Sequence, residues 1–332
     1  MREEESLPSH KMEPTPLPGA ANVKWKEAFI RRYSALTDWE SFRKCSLSFL
    51  RKAIRVNTLK ISIEDCVKRL GAKGWKLTPI PWCSTGFWIR HAERRDVGNL
   101  LEHHLGYFYV QEAASMIPPL VLDPQPHEAV LDMAASPGSK TTQLAAMMQN
   151  TGIIVANDYK ADRLAALGMN VQRVGAINVI VTEMRGEGIR GLQFDRILLD
   201  APCSGTGTIC KSLKTIDIWN PLMVRRLQKQ QQRLIGSAWK LLKPDGVLVY
   251  STCTMEPEED EAVVDFLLKR HGDVVIEAIK EAELPGLKRS APILAFEGER
   301  YADAIGDCLR IWPQDNGTEG FFIARIKKRR NT

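Results

Sequence analysis

The 332-residue sequence contains no apolar run near the ~20 residues needed to cross a bilayer, and its N-terminus lacks a signal-peptide pattern. No membrane partner is expected. The seven cysteines, at positions 45, 66, 83, 203, 210, 253 and 308, have no paired spacing. That argues against a disulfide framework or a zinc site and for a reducing, cytoplasmic setting without bound metal. Also missing are Gly-x-Gly-x-x-Gly, which a nicotinamide-dependent oxidoreductase wants, the Walker spacing of a P-loop, and any internal repeat. What is present is an ordinary globular composition, 44% hydrophobic and 26% charged, long enough for two domains. The net charge of +6 favours a polyanionic partner.

Residues 1–22 carry prolines 8, 14, 16 and 18 among charged and small residues and read as a disordered lead-in. Residues 23–105 read as a small α+β domain. A basic helical stretch runs from Trp25 to about Lys52. A strand at 54–59, a helix over 64–70 capped by Ser62, and strands over 75–80 and 87–89 follow. Trp82, Phe87 and Trp88 lie among Lys76, Arg90, Arg94 and Arg95, a mixture that suits either single-stranded nucleic acid or a core. Residues 106–328 read as the larger domain, entered by a strand at 107–110, a helix from about 111–113, and a joint containing Pro118, Pro119, Pro124 and Pro126. Strands at 129–133, 152–157, 177–182, 194–199 and 247–250 then alternate with helices at 141–148, 161–174 and 220–242. Pro257 opens a further helix with Glu258, Glu259, Asp260 and Glu261 in its first turn, where the macrodipole favours acids. Strands at 308–312 and 320–326 close the domain before a basic tail at 329–332. The alternation predicts a doubly wound, Rossmann-like α/β sheet.

Two strands of that sheet deliver a cysteine at their carboxyl ends, where open α/β sheets bind ligands: Cys203 after 194–199 and Cys253 after 247–250. A lone cysteine there is more often a buried filler, but two at neighbouring tips suggest a site. The first strand-to-helix turn reads Ala134-Ala135-Ser136-Pro137-Gly138-Ser139-Lys140, small residues that let a ligand approach backbone amides at a helix N-terminus. Asp158 ends the second strand, where an acid after such a turn suits a ribose diol, the favoured reading; the alternative is a helix cap and a surface ion pair with Asn157 and Arg163. Glu183 ends the third strand, within reach of a nucleoside. The segment 204–219, with Lys211 and Lys214, reads as a polar loop able to close over a base, and the N-terminal domain, Arg185 and residues 327–330 as phosphate contacts.

The runs Ala-Ala-Ser-Pro-Gly-Ser-Lys-Thr, Asp-Ala-Pro-Cys-Ser-Gly-Thr-Gly and Tyr-Ser-Thr-Cys-Thr-Met-Glu-Pro-Glu-Glu-Asp, in this order, resemble the Nop/Nol/Sun family of RNA cytosine-C5 methyltransferases. So do Arg-Val-Asn-Thr-Leu-Lys at 55–60, Tyr-Val-Gln-Glu-Ala-Ala-Ser-Met at 109–116 and Glu-Gly-Phe-Phe-Ile-Ala at 319–324. The resemblance covers about Trp25 to Lys328 and is nearest to the short, archaeal-type members. It implies a Rossmann-like methyltransferase domain with a smaller RRM-like N-terminal domain that binds RNA. It implies S-adenosylmethionine held by residues 134–140, by Asp158 with Arg163, by Glu183 and by Asp200. The family chemistry makes Cys253 the nucleophile at cytosine C6 and Cys203 the thiol that assists release. Asp200 would hydrogen-bond the cytosine edge, and Lys140 would favour a neighbouring thiolate. Ser136, Ser139 and Glu183 stand where the family usually has alanine, glycine and aspartate. The first expected substrate is tRNA and the second rRNA, acted on by a monomer; a catalytically idle RNA-binding factor is the alternative class.

Overall fold

In the computed structural model the described residues are 15–330. Residues 15–17 run beside 47–49, with Phe49 N donating to Thr15 O and Leu17 N to Leu47 O. Residues 15–22 of the expected disordered lead-in are therefore ordered; residues 1–14 lie outside the described part, as do the last two residues of the basic tail.

Helices α1 (Glu27–Leu36) and α2 (Trp39–Ser46) come first. Asp38 caps α2 by accepting from the backbone of Glu40 and Ser41. The small domain follows as β1 (Ala53–Val56), α3 (Ile63–Ala72), β2 (Lys76–Ile80), β3 (Cys83–Arg90), α4 (Leu101–His104) and β4 (Phe108–Val110). Ser62 caps α3 through Asp65 N, as its position before an apolar-periodic run predicts. The strands form one antiparallel sheet in the order β2-β3-β1-β4, the RRM-like split-βαβ order with its second helix reduced to four residues. Ile54, Val56, Leu70, Trp75, Phe87 and Phe108 form its core.

The larger domain is built from α5 (Ile117–Leu122), β5 (Ala129–Asp132), α6 (Ser139–Met147), β6 (Ile153–Asp158), α7 (Ala161–Val174), β7 (Val179–Glu183), β8 (Phe194–Asp200), α8 (Lys214–Ile218), α9 (Pro221–Leu241), β9 (Leu242–Thr252), α10 (Glu261–Arg270) and β10 (Val274–Ile276). A short hairpin of β11 (Ala295–Phe296) and β12 (Glu299–Arg300), then β13 (Leu309–Ile311), α11 (Pro313–Asn316) and β14 (Phe321–Lys328), complete it. The sheet order is β10-β14-β9-β8-β5-β6-β7, parallel from β9 to β7, with β14 and β10 antiparallel at one end. This is the doubly wound, Rossmann-like sheet the alternation predicts. Alternate strand residues feed two cores: Val130, Ile154, Leu198 and Val249 on one face, Leu131, Ile197, Leu248 and Tyr250 on the other.

Five local expectations change. The strand expected at 107–110 does not open the larger domain: as β4 it pairs with β1 in the small domain's sheet, so the 105/106 division falls before that sheet is complete. Pro118 and Pro119 do not belong to a joint: they occupy the first turn of α5, where a missing amide costs nothing. The Lys243–Gly246 segment lies inside β9 as a bulge, because Leu242 still pairs with Phe194 before the register shifts. Helix α10 starts only at Glu261, and Glu259 and Asp260 ahead of it are fully buried. Residues 204–219 are not a free polar loop. They form a 3-10 turn and α8, and Ile209, Ile216 and Trp219 pack on Phe29, Tyr33 and Phe42 of α1 and α2. The basic helical stretch thus buries its apolar face on the larger domain, with the Phe29 and Tyr33 rings stacked 4.1 Å apart. Trp82 and Phe87 are core residues; Trp88 alone of the three is half-buried, under the Arg51 guanidinium at 3.7 Å.

Candidate active site

Parallel strands β5, β6, β8 and β9 end on one edge of the sheet and carry the chemistry there. β8 ends in Asp200, leading to Cys203; β9 leads to Cys253. The two sulfurs lie 3.4 Å apart. Backbone ties hold the tips together: Gly207 N donates to Cys253 O at 3.0 Å, and Gly320 N donates to Gly207 O at 2.9 Å. No side chain fits at 207, since a Cβ would meet Gly320 O at 2.6 Å and Cys253 O at 2.8 Å. Thr254 Oγ1 lies 2.6 Å from Ser204 Oγ and 2.9 Å from Thr206 Oγ1, a second set of links between the loops. The hydrogen bond to Cys253, reinforced by burial, holds the Cys203 thiol well above its ordinary range, so this sulfur keeps its proton.

Lys140, buried at the start of α6, donates from Nζ to Asp200 Oδ2 at 2.7 Å and to Ser115 Oγ at 3.2 Å. Ser251 Oγ donates to the other Asp200 oxygen at 2.8 Å. Burial pulls the Lys140 ammonium down, but Asp200 outweighs it and the net shift is upward; Cys253 acts in the same direction. The site therefore contains a fixed cation beside a carboxylate and a thiol pair.

A cavity of about 320 Å³ opens on this edge, lined by Met133, Ala134, Asn157, Asp158, Arg163 and Pro202 among others. Asp158 is buried, so its pairing with Arg163 is not the surface ion pair that its sequence position allows. It accepts from Ser136 N at 3.3 Å and Lys160 N at 3.2 Å and pairs with Arg163 at 3.4 Å, while also facing the cavity. Arg163 in turn donates to Ser136 O at 2.6 Å, and Ser136 Oγ donates to Arg163 O at 2.7 Å. Of the first turn, Ala134 reaches the cavity lining, whereas Ala135, Ser136 and Gly138 are buried behind it, Pro137 is exposed and Ser139 starts α6. Glu183 is exposed and is not part of the lining; Arg185, Gly186 and Glu187, just beyond it, are. Pro202 of the lining is next to Cys203 in the chain; the two thiols are not themselves in the lining.

Several residues that sequence reasoning missed complete the site. Ser251 and Ser115 orient Asp200 and Lys140. Glu259 Oε2 accepts from Ser204 N at 3.0 Å and Gln231 Nε2 at 2.8 Å, and Gln231 also donates to Pro202 O at 2.9 Å. Glu259 thus binds the Cys203 loop instead of serving the helix dipole. Glu112 accepts from Ala114 N at 2.7 Å and from Glu319 N at 3.3 Å; burial and the Glu319 charge push its carboxyl up to about 8. Lys211 forms an ion pair with Glu319. The only signal for these acids was their place inside the motifs quoted above.

Comparison with known proteins follows the two domains. Residues 119–327 match the model of the 16S rRNA methyltransferase RsmB/F family, and residues 26–113 match the N-terminal domain of 16S rRNA methyltransferase RsmF. The chain is 47% identical to a tRNA (cytosine(49)-C(5))-methyltransferase of Pyrococcus abyssi, over 92% of this chain and 97% of that protein. It is 43% identical to ribosomal RNA small subunit methyltransferase F of Vibrio campbellii over 92% of this chain, but spans only 64% of that longer relative. Among solved structures, a methyltransferase homolog from Pyrococcus horikoshii superposes with a TM-score of 0.82 at 36% identity, covering 94% of this chain and 99% of that one. NSun6 from Pyrococcus horikoshii with SFG shares the fold, at a TM-score of 0.80 and 24% identity over 92% of this chain and 99% of that one.

Proposed function

The chain belongs to the 16S rRNA methyltransferase RsmB/F family, and from that premise we propose that it transfers a methyl group from S-adenosylmethionine to C5 of a cytosine in RNA. The reaction runs through a covalent adduct of Cys253 with cytosine C6, and Cys203 assists release. The observation that carries this reading is the 3.4 Å thiol pair, with Lys140 and Asp200 joined beside it.

The residues fit the cofactor. The cavity lies within the usual range for small-ligand sites, about 300–1,000 Å³. It has a small-residue wall at Ala134 and a buried carboxylate, Asp158, at the end of the second strand of the parallel set. Asp158 would take the ribose hydroxyls, and Ala134–Lys140 would hold the amino-acid end. When bound, S-adenosylmethionine supplies an electrophilic methyl group; the protein's own groups make C5 able to accept it.

Cytosine C5 is a weak nucleophile, so a thiolate must first add to C6. Cys253 supplies it, forming the S–C6 bond and pushing electron density toward C5. Asp200, held by Lys140 and Ser251, accepts hydrogen bonds from the N3/N4 edge and stabilises the proton that the base takes up as charge develops. After transfer water takes the proton from C5, the C–H electron pair re-forms the C5–C6 double bond, the S–C6 bond breaks, and Cys253 leaves as a thiolate. Cys203 is the thiol within reach of that elimination.

For the RNA class, tRNA is favoured by one observation: the chain is 47% identical to the Pyrococcus abyssi tRNA enzyme and 43% identical to the Vibrio campbellii rRNA enzyme over the same 92% of its length. A covalent-trapping assay tests mechanism and substrate together. Incubated with total RNA and S-adenosylmethionine, Cys203→Ala accumulates a denaturant-resistant protein–RNA adduct. Cys253→Ala gives neither adduct nor methyl transfer. Sequencing the trapped RNA identifies the target. The reverse pattern would make Cys203 the nucleophile, and no adduct with an inactive wild type would favour an idle RNA-binding factor.

A further inference from the structure

The Arg-Val-Asn-Thr run at 55–58 opens the small domain's sheet, yet Arg55 sends its guanidinium into the larger domain. Nη1 donates to Ser139 O at 2.8 Å, to Gln143 Oε1 at 3.3 Å and to Gln111 Oε1; Nη2 donates to Thr142 Oγ1 at 2.9 Å. Arg55 is only 2% exposed. Its acceptors are all neutral. The other deeply buried arginines have carboxylate partners: Arg32 has Glu256 and Glu258, and Arg310 has Asp260 and Glu261. Among the described residues no carboxylate lies within 4.0 Å of Arg55, and its Nε is buried without a hydrogen-bond partner. Burial pulls this guanidinium down to about 10, and the like charge of Arg173 acts the same way, so it remains a cation at neutral pH.

A buried cation without a counter-charge is a poor way to gain stability. What Arg55 does hold is specific: the carbonyl of Ser139, first residue of α6, in the turn whose small residues approach the cavity. Other side chains fasten the same seam. Asn57 Nδ2 donates to Val174 O at 2.8 Å, and Tyr109 OH of β4 donates to Pro137 O at 3.5 Å. The turn is therefore gripped from the small domain's side.

We propose that Arg55 is a positioning residue for the amino-acid end of the cofactor: from the small domain it fixes the Ser139 backbone and sets a permanent positive charge behind the α6 N-terminus, which a ligand carboxylate offsets. The inference rests on the reading of residues 134–140 as the turn for S-adenosylmethionine. The helix N-terminus and the buried cation then favour the same anionic group. The small domain accordingly contributes to cofactor affinity as well as to RNA contact.

Calorimetric titration of the full chain with S-adenosylhomocysteine, and separately with 5′-methylthioadenosine, tests this. The second ligand keeps the nucleoside and lacks the amino-acid end. Arg55→Gln is expected to weaken S-adenosylhomocysteine about tenfold or more, the range for a lost charge-assisted hydrogen bond, and 5′-methylthioadenosine less than about threefold. Arg55→Lys, which keeps the charge, should recover part of the loss. Thr142→Val removes one acceptor and should show the same selectivity at about threefold; it carries the test if Arg55→Gln does not fold. Unchanged S-adenosylhomocysteine affinity, or equal weakening of both ligands, overturns the proposal. Wild type binding neither ligand removes the cofactor reading and this inference with it.

Discussion

The sulfurs of Cys203 and Cys253 lie 3.4 Å apart at the ends of neighbouring parallel strands, and the backbone of Gly207 is threaded between their loops. The thiol geometry thus depends on a residue that has no side chain. Gly207→Ala would drive a methyl group against two carbonyl oxygens, at 2.6 and 2.8 Å. The expected outcome is a stability loss of about 1–3 kcal/mol, as for other overpacking substitutions, with a larger proportional loss of methyl transfer. Urea unfolding and single-turnover methylation measured on one preparation check it. Full activity would mean that the loops have room to separate.

Asp158 and Glu183 end adjacent strands and pair in register, but only Asp158 is buried against the cavity. Asp158→Ala should raise the Kd for S-adenosylhomocysteine by about tenfold or more, whereas Glu183→Ala should change it by less than about twofold. Titration calorimetry separates the two. A large effect at Glu183 would require its exposed carboxylate to turn inward on binding.

Arg310 is fully buried and donates to Asp260 Oδ2 at 3.0 Å and to Glu261 Oε2 at 2.6 Å, while Thr252 Oγ1 donates to Asp260 Oδ1 at 2.5 Å. This network lies directly behind the Thr252–Cys253 turn. Arg310→Leu leaves two buried carboxylates without their cation and should cost about 3–5 kcal/mol, measurable as a lower urea midpoint. An effect below about 1 kcal/mol would show that those acids accept protons and stay buried without strain.

Burial pushes the Asp132 carboxyl up to about 7, against the hydrogen bond donated by Thr141. In the unfolded chain such a group titrates near about 3.9. Between those values the folded protein keeps a proton that the unfolded chain has released, so stability falls as pH rises. The contribution is complete below about pH 4 and lost above about 7, at most about 1.4 kcal/mol per pH unit. Glu259, pushed up to about 7 mainly by burial, acts in the same sense. Urea midpoints of wild type should fall between pH 5 and pH 7.5, about the window those values define, and Asp132→Asn should show a shallower fall. An identical slope in the variant would place Asp132 near its ordinary range.

By itself the sequence determined the parallel strands, because apolar runs with short turns report burial on both faces, and it determined which strand ends carry Cys203, Cys253, Asp200 and Asp158. Local chemistry was also legible: the Ser62 cap follows from a side chain acting on neighbouring backbone, and α7 covers the expected 161–174 and stops at Gly175 in the left-handed conformation. Tertiary structure alone decided the rest, because those contacts join residues far apart in the chain. Phe29 and Tyr33 are in one helix, but their burial depends on Ile209 and Trp219. Glu259 and Asp260 look like helix-dipole acids until Ser204, Gln231 and Arg310 are found facing them. Glu183 and Asp158 have equivalent strand positions, and only the surrounding packing exposes one and buries the other. Arg55 reads as one more basic residue in a strand. The docking of the small domain on α6 is what turns it into a buried cation at the start of that helix.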